Sequence, residues 1–320
     1  MADYININGN NIPIRASDPT NPISGEVWYN STTNALKGQA VTTSASWASG
    51  GSLPAPLGAN SGSGSTTAGF SMGGGTGPVA SYVTATNTYD GTTWTGAPAM
   101  TFSSAYAAAC GTIPTTLYAG GDGNAPGASN TYNGTSWTSI SALGFDGYQI
   151  KGAGNSANAF VAQSYYSSSG RTWNGSSWTT NTAIPQHNYS TGAVGDYNDA
   201  SFLGGKAVSD NSNRNDHINW NGSAWTTDTV MPVSADLSGQ TSNNAPTSNF
   251  WVHLNGPNST LIWNGSSWTT AGSLSTARSN AAGAGSTAAE GFIAGGVGPP
   301  TTAITEEFVS GPTTVTISSS

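Results

Sequence analysis

The side chains that most often carry catalysis or hold metals are few in this chain and widely spaced. Its three histidines, His187, His217 and His253, lie 30 and 36 residues apart, without the short spacing that puts paired metal ligands on one element. A copper or zinc site would need them gathered at a central axis from separate stretches of chain. The one cysteine, Cys110, has no internal disulfide partner. Its setting, Ala107-Ala-Ala-Cys-Gly111, reads as a small apolar residue packed in a strand. Asp210-Asn-Ser-Asn-Arg-Asn-Asp216 sets oxygen-bearing side chains at alternate positions, as calcium loops do. It lacks their glycine at the sixth position and glutamate at the twelfth, so it reads as a solvated loop. No catalytic residue, metal or cofactor is expected.

Composition narrows the partners. Only 7% of the 320 residues are charged, the net charge is −8, and the seven Lys and Arg stand singly. Phosphate backbones are bound by clustered cations, which excludes a nucleic-acid partner, and an anionic membrane surface with it. No apolar run is long enough to insert in a bilayer. The opening Met1–Asn10 has no basic and then apolar signal pattern, so a protein made in the cytoplasm is expected. Low charge and 43 glycines would suit a disordered chain, but 11 Trp, 12 Tyr and 8 Phe supply the apolar mass of a core.

Those aromatics recur in a fixed phrase, aromatic–Asn/Asp–Gly–Ser/Thr–x–Trp. It runs Tyr89 to Trp94, Tyr132 to Trp137, Trp173 to Trp178, Trp220 to Trp225 and Trp263 to Trp268. The closing tryptophans are 43, 41, 47 and 43 residues apart, and Trp47 precedes Trp94 by 47. A period in the forties fits one four-stranded propeller blade. Asn-Gly or Asp-Gly between β runs is a strong hairpin signal. As a two-residue turn, Asp90-Gly91 pairs Tyr89 with Thr92 and Asn87 with Trp94, leaving the two aromatics diagonal neighbours on one face. Asn133, Asn174, Asn221 and Asn264 start Asn-x-Ser/Thr triplets, and this turn is sufficient reason for them. Upstream of each hairpin lie a small-residue run, such as Thr191–Gly195, and an apolar run, such as Phe292–Ala294. The small run suits the crowded innermost strand of a blade.

With these runs in place, the chain resembles the kelch repeat, in which a hydrophobic strand, Gly-Gly, an aromatic and a Trp follow in order. The diglycines read as Gly74-Gly75, Gly120-Gly121, Gly204-Gly205 and Gly295-Gly296; Gln163-Ser164 and His253-Leu254 stand where two more are expected. The resemblance covers about residues 45 to 318 and implies an all-β, six-bladed kelch-like β-propeller. The sixth third-strand aromatic is Phe308. The ring is closed by the Trp47 segment or, alternatively, by Thr313–Ser318. Kelch-like proteins include binding modules, scaffolds and a few oxidases. The oxidases need a Cys–Tyr crosslink with His ligands, for which Cys110 is the one cysteine candidate and no motif speaks. Arg278 holds the usual kelch arginine position, a structural one. Sialidase turns space Asp and Gly by one residue, unlike Asp90-Gly91. Sialidases also need three arginines round a carboxylate, and this chain has only Arg15, Arg171, Arg214 and Arg278.

Residues 1–44 fall outside the repeat and form a first segment, with the propeller over 45–320. The prolines at 19 and 22 favour extended chain, and Glu26–Asn30 with Asn34–Lys37 suggests a hairpin. The phrase from Asp18-Pro to Trp28-Tyr-Asn and Leu36-Lys resembles a short module of tailed-bacteriophage virion proteins, and uncharged Gly/Ser/Thr-rich propeller repeats resemble marine phage proteins. This resemblance implies a virion location, anchoring to other virion proteins through residues 1–44, and homo-oligomeric display of the propeller. Attachment would fall to loops at one mouth of the ring. The loops 122–130, 163–170 and 206–217 vary most, giving Asp122, Asn124, Tyr165, Tyr166, Asn211, Arg214 and Asp216 as candidates for a host glycan or receptor. For Tyr165-Tyr166, sugar stacking competes with extra core packing, which the sequence favours. The expected function is a non-enzymatic tail fibre, appendage or capsid decoration. The alternatives are a free lectin-like propeller and a purely structural spacer.

Overall fold

The five copies of the aromatic phrase each close a hairpin, though not with the two-residue turn expected. In the computed structural model, which describes residues 12–19, 26–76, 81–162, 164–237, 241, 243–298 and 300–316, the two aromatics are direct cross-strand partners. The pairs are Tyr89 with Trp94, Tyr132 with Trp137, Trp173 with Trp178, Trp220 with Trp225 and Trp263 with Trp268. Their ring centroids lie 4.7 to 5.3 Å apart. The loop between them is therefore four residues long. A type I′ turn needs positive φ at both central residues, whereas here only the glycine has it, as at Gly91 (+95°) and Gly222 (+88°). The side chain before that glycine caps the loop instead. Asn221 Oδ1 accepts from the amides of Ser223 (3.0 Å) and Ala224 (2.8 Å), and Asp90, Asn133, Asn174 and Asn264 do the same. Asn and Asp offer this Asx geometry at little cost.

All regular structure among the described residues is β-strand. Four sheets have four antiparallel strands in chain order. Sheet A is Ser61–Ser65, Ala68–Met72, Thr86–Tyr89 and Trp94–Ala97. Sheet B is Ala108–Cys110, Thr116–Ala119, Ser129–Tyr132 and Trp137–Ile140. Sheet C is Lys151–Gly154, Ala159–Ala162, Arg171–Trp173 and Trp178–Thr180. Sheet D is Gly192–Asp196, Asp199–Leu203, His217–Trp220 and Trp225–Thr227. Sheet E has three strands, Phe250–Leu254, Ser259–Trp263 and Trp268–Ala271, and Thr241 bridges to Val252 where a first strand would lie. Sheet F comprises Ala282–Thr287, Glu290–Ala294 and Thr305–Thr316, followed in the sheet order by Ala35–Ser49. Thr313–Thr316 continue the third strand of sheet F and are not a separate fourth strand. The arrangement is an all-β, propeller-like fold.

The chain divides into two compact units, Met1–Ala45 with Ser310–Ser320, and Ser46–Val309. In the first, Val27–Asn30 pairs antiparallel with Ala35–Gly38, and Ile14–Arg15 runs parallel to Tyr29–Asn30. Asp18 is its hub. One carboxylate oxygen accepts from the indole of buried Trp28 (2.9 Å) and from Asn30 (2.7 Å), and these bonds hold the Asp18 carboxyl below its ordinary range. Asn30 in turn caps the hairpin at Thr32 and Thr33.

In the second unit the sheets pack face to face, and the sequence shows why they can. The first strand of sheet A lies against the first strands of F and B, and those of B and C, and of C and D, are likewise neighbours. A Cβ on Gly62 would come within 2.7 Å of the Gly283 carbonyl oxygen, so sheets A and F meet backbone to backbone. Second-strand aromatics fill the space further out: Phe70, Tyr118, Phe160, Phe202, Phe250 and Phe292 are fully buried.

Two hydrogen bonds recur between sheets. Each closing tryptophan donates its indole N–H to the preceding sheet. Trp94 reaches Thr305 Oγ1 (2.9 Å), Trp137 reaches Thr86 Oγ1 (3.1 Å) and Trp47 reaches Thr260 Oγ1 (2.8 Å). Each acceptor stands three residues before a third-strand aromatic. Ser129, Gly170 and His217 hold that place in sheets B, C and D, and there Trp178, Trp225 and Trp268 donate to the main-chain carbonyls of Ser141, Thr182 and Thr229. The second recurring bond runs from the second glycine of each pair to the segment leading into the next sheet: Gly74 to Ser104, Gly121 to Gly147, Gly205 to Ala235 and Gly296 to Leu57. By φ and by these bonds the first pair is Gly73-Gly74, one residue earlier than expected. In sheet E the equivalent residues are Leu254-Asn255, again one residue off, because His253 pairs with Thr260 as Leu203 pairs with His217. Leu254 cannot take a glycine conformation cheaply, so its strand continues and turns back at once. Gln163 lies outside the described residues.

These contacts predict opposite fates for two glycines. Gly62→Ala should lower unfolding stability by about 1–3 kcal/mol through overpacking. Gly96→Ala, whose new Cβ meets nothing within 4 Å, should leave it unchanged or slightly raise it. Urea denaturation of both variants measures the difference.

Candidate functional site

The chain enters each first strand through a kink. Ala59, Tyr106, Gln149, Ser190 and Asn280, each just ahead of that strand, all have φ between 51° and 59°. In sheets B, C and D this kink region carries a tyrosine: Tyr106 at the kink itself, and Tyr148 and Tyr189 one residue before it. Loops between second and third strands add Tyr82 from sheet A and Tyr165 and Tyr166 from sheet C. Six of the 12 tyrosines thus come together. Centroid distances are 5.2 Å for Tyr106–Tyr148, 6.0 Å for Tyr148 to both Tyr165 and Tyr166, and 4.9 Å for Tyr165–Tyr189. Tyr166 is 64% exposed and Tyr165 39%, while the other four are half-buried.

Polar groups are fixed along this belt. The Tyr82 hydroxyl donates to Asp122 Oδ2 at 2.6 Å, and the Tyr189 hydroxyl donates to Asn211 Oδ1. Burial, with Asp122 close by, pushes the Tyr82, Tyr106 and Tyr148 hydroxyls up, Tyr148 to about 12. All three are protonated donors across the neutral range. Beside the belt lies a cavity of about 450 Å³ lined by Gln186, His187, Asn188, Ser209, Arg214 and Asp216, among others. His187 Nε2 shares a 2.9 Å hydrogen bond with the carbonyl of Ser164, next to Tyr165. Asp216 accepts from Asn188 at 2.8 Å.

The structure brings Asp122, Tyr165, Tyr166 and Asn211 to the belt, and Arg214 and Asp216 to the adjoining cavity. Asn124 stands exposed in the Asp122 loop. Arg214 pairs with Asp210 at 3.1 Å, and Asp210 also accepts from the amide and hydroxyl of Ser212. The loop that resembled a calcium site therefore closes on itself. The sequence reading missed Tyr82, Tyr106, Tyr148 and Tyr189. Aligning the residues just before the small-residue runs would have found three of these, since Tyr106, Tyr148 and Tyr189 fall at or beside one repeat position.

The other reactive groups sit elsewhere and apart. Among the described residues no three His, Cys, Asp or Glu side chains converge in a metal-binding set. His217 and His253 are buried, with ring nitrogens at the Thr229 carbonyl and the Thr260 hydroxyl. Cys110 is fully buried and its thiol is pushed up to about 12 by desolvation. Arg278 is buried against Glu306 (2.6 Å) and also donates to the Ile293 carbonyl, tying the entry of sheet F to its own strands. Among the described residues no helix is long and apolar enough to cross a membrane.

At the far ends of the first strands a second cavity, of about 380 Å³, is lined by Thr112, Thr115, Asn155, Asp196, Asp199 and Thr247, among others. The Asn243-Asn244 segment, just after Thr241, reaches across between the first strands. Asn243 donates to the carbonyls of Gly62 (2.5 Å) and Ala109 (3.2 Å), and Asn244 exchanges hydrogen bonds with the Gly111 main chain. Beside this crossing, Lys151, Asn60, Ser61, Thr241 and Asn243 surround a void of about 20 Å³, room for a single water.

The chain matches no family model and no curated protein.

Lys151 has a measurable consequence. Desolvation lowers its ammonium to about 8, against partial compensation from Asp236. A lysine whose folded value lies below its unfolded one destabilises the fold while charged, and stability rises as pH climbs from about 8 towards 10. Lys151→Met should therefore be more stable than the parent at pH 7, with the gap narrowing by pH 10. Thermal melts of both proteins across that range read it directly.

Proposed function

We propose that this chain is a non-catalytic attachment protein: a closed six-bladed, kelch-like propeller whose tyrosine-bearing end binds glycan on a cell surface. The single observation that carries the reading is the convergence of six tyrosines from four consecutive sheets at one end. Rigid amphipathic rings with protonated hydroxyls suit sugar rings, which present a C–H face and a polar edge. Closure is supported by the order of contacts. Sheets A to F each pass an indole bond back to the sheet before, Trp94 of sheet A passes its own to sheet F, and Trp47 from sheet F reaches sheet E. In this reading Trp47 supplies the fourth strand of the last blade, which protects the sheet edges.

The virion setting rests on the phrase from Asp18 to Lys37. Within it Trp28 and Asn30 both donate to Asp18, and the hairpin so braced is suited to serve as an anchor. We accordingly read the protein as a fibre, appendage or decoration, docked to other virion proteins through residues 1–44 and displayed in several copies. A free lectin-like propeller is supported less, because sheets E and F contribute no tyrosine to the belt.

The test is binding of the full chain to cell envelopes from a panel of bacteria, alongside the double variant Tyr165→Ala/Tyr166→Ala. Envelope binding should fall at least tenfold in the variant, with thermal stability held. Equal binding by both proteins would rule the tyrosine end out.

A further inference from the structure

The cavity beside the tyrosine belt has no part in the packing described above, and its chemistry is specific enough to name a ligand class. We propose that the belt and the cavity form one two-part site for an uncharged oligosaccharide. One sugar enters the 186–216 cavity and the next lies over Tyr165 and Tyr189. The inference rests on the attachment reading and adds the ligand's chemistry to it.

Continuity comes first. Tyr189 follows Asn188 of the cavity wall, its hydroxyl is bonded to Asn211 in the loop that forms another wall, and His187 is bonded to Ser164 beside Tyr165. A volume of about 450 Å³ lies within the range of small-ligand pockets. The wall offers what sugar hydroxyls need: the Asp216 carboxylate, the Arg214 guanidinium and the Gln186 carboxamide.

Charge then decides the class. The two cations nearest the cavity are already engaged, Arg214 with Asp210 and Lys206 with Asp236 (3.5 Å). Asp122 and Asp216 add negative charge along the site. A sialic acid, uronate or sulfated sugar would bring its negative charge beside the Asp216 and Asp122 carboxylates, with Arg214 already shared with Asp210, and like charges repel. A neutral pyranose has no such penalty, and its C–H face stacks on the tyrosine rings.

The decisive experiment titrates the full chain with two saccharide panels. One is neutral: gluco-, manno-, galacto- and N-acetylglucosamine oligomers. The other is acidic: sialylated, uronate and sulfated oligomers. Ser209→Trp places a bulky ring at the cavity mouth from an exposed position, and Tyr165→Ser removes the stacking face while Tyr165→Phe keeps it. Neutral oligomers are expected to bind, with affinity down at least tenfold in Ser209→Trp and Tyr165→Ser and near the parent in Tyr165→Phe. Binding of acidic oligomers alone, of no saccharide, or of neutral ones unmoved by these variants would overturn the proposal. Envelope binding measured in parallel separates the two readings. Envelopes bound without any neutral saccharide would leave attachment standing and this inference overturned.

Discussion

The indole N–H of the closing tryptophan ties the molecule together sheet by sheet. Leaving a buried indole unmet costs more than the bond itself returns, so a closing tryptophan gains from an acceptor within reach. Here the acceptor always lies in the preceding sheet, so each hairpin is completed only when its neighbour is in place. The aromatic pair at the hairpin end presents the indole at the right height, and the Asx-capped loop fixes that pair in register. Close approach of the first strands, rich in Gly, Ala and Ser, lets the sheets come near enough for the bond to form.

Much of this was legible in the sequence because period and composition report it directly. The buried aromatic of the second strand was read at its place in every sheet, and the small-residue first strand in all but sheet E, where only the Thr241–Val252 bridge stands. The turn was misread because Asn-Gly serves two geometries, and the choice depends on whether the asparagine turns its side chain or its backbone. A side-chain cap leaves φ negative at that residue, and nothing in the dipeptide alone reveals this. The diglycines of the first copy, Gly73-Gly74-Gly75, offered two registers, and only strand pairing distinguishes them.

The candidate site was half legible. Tyr165 and Tyr166 drew notice because they break a repeat, whereas Tyr106, Tyr148 and Tyr189 show only when the residues ahead of the small-residue runs are aligned. They occupy the kink that precedes each first strand, a place defined by backbone conformation. Tyr82 arrives from a loop of different length. The crossing by Asn243 and Asn244 was invisible for a related reason. It stands where sheet E lacks a regular first strand, and its partners, Gly62, Ala109 and Gly111, are more than 130 residues distant in sequence.

The joints between sheets also share a chemical character. Indole to threonine, indole to carbonyl and glycine amide to carbonyl are all bonds between neutral groups, and aromatic rings fill the space around them. Of the four ion pairs among the described residues only Arg278–Glu306 is buried. Dissolved ions act on exposed charges and hardly at all on bonds between neutral groups. These recurring joints are thereby insensitive to ionic strength, and salt is left to act on the carboxylate contacts between sheets A and F, Glu290 to Thr66 and Glu307 to Tyr89.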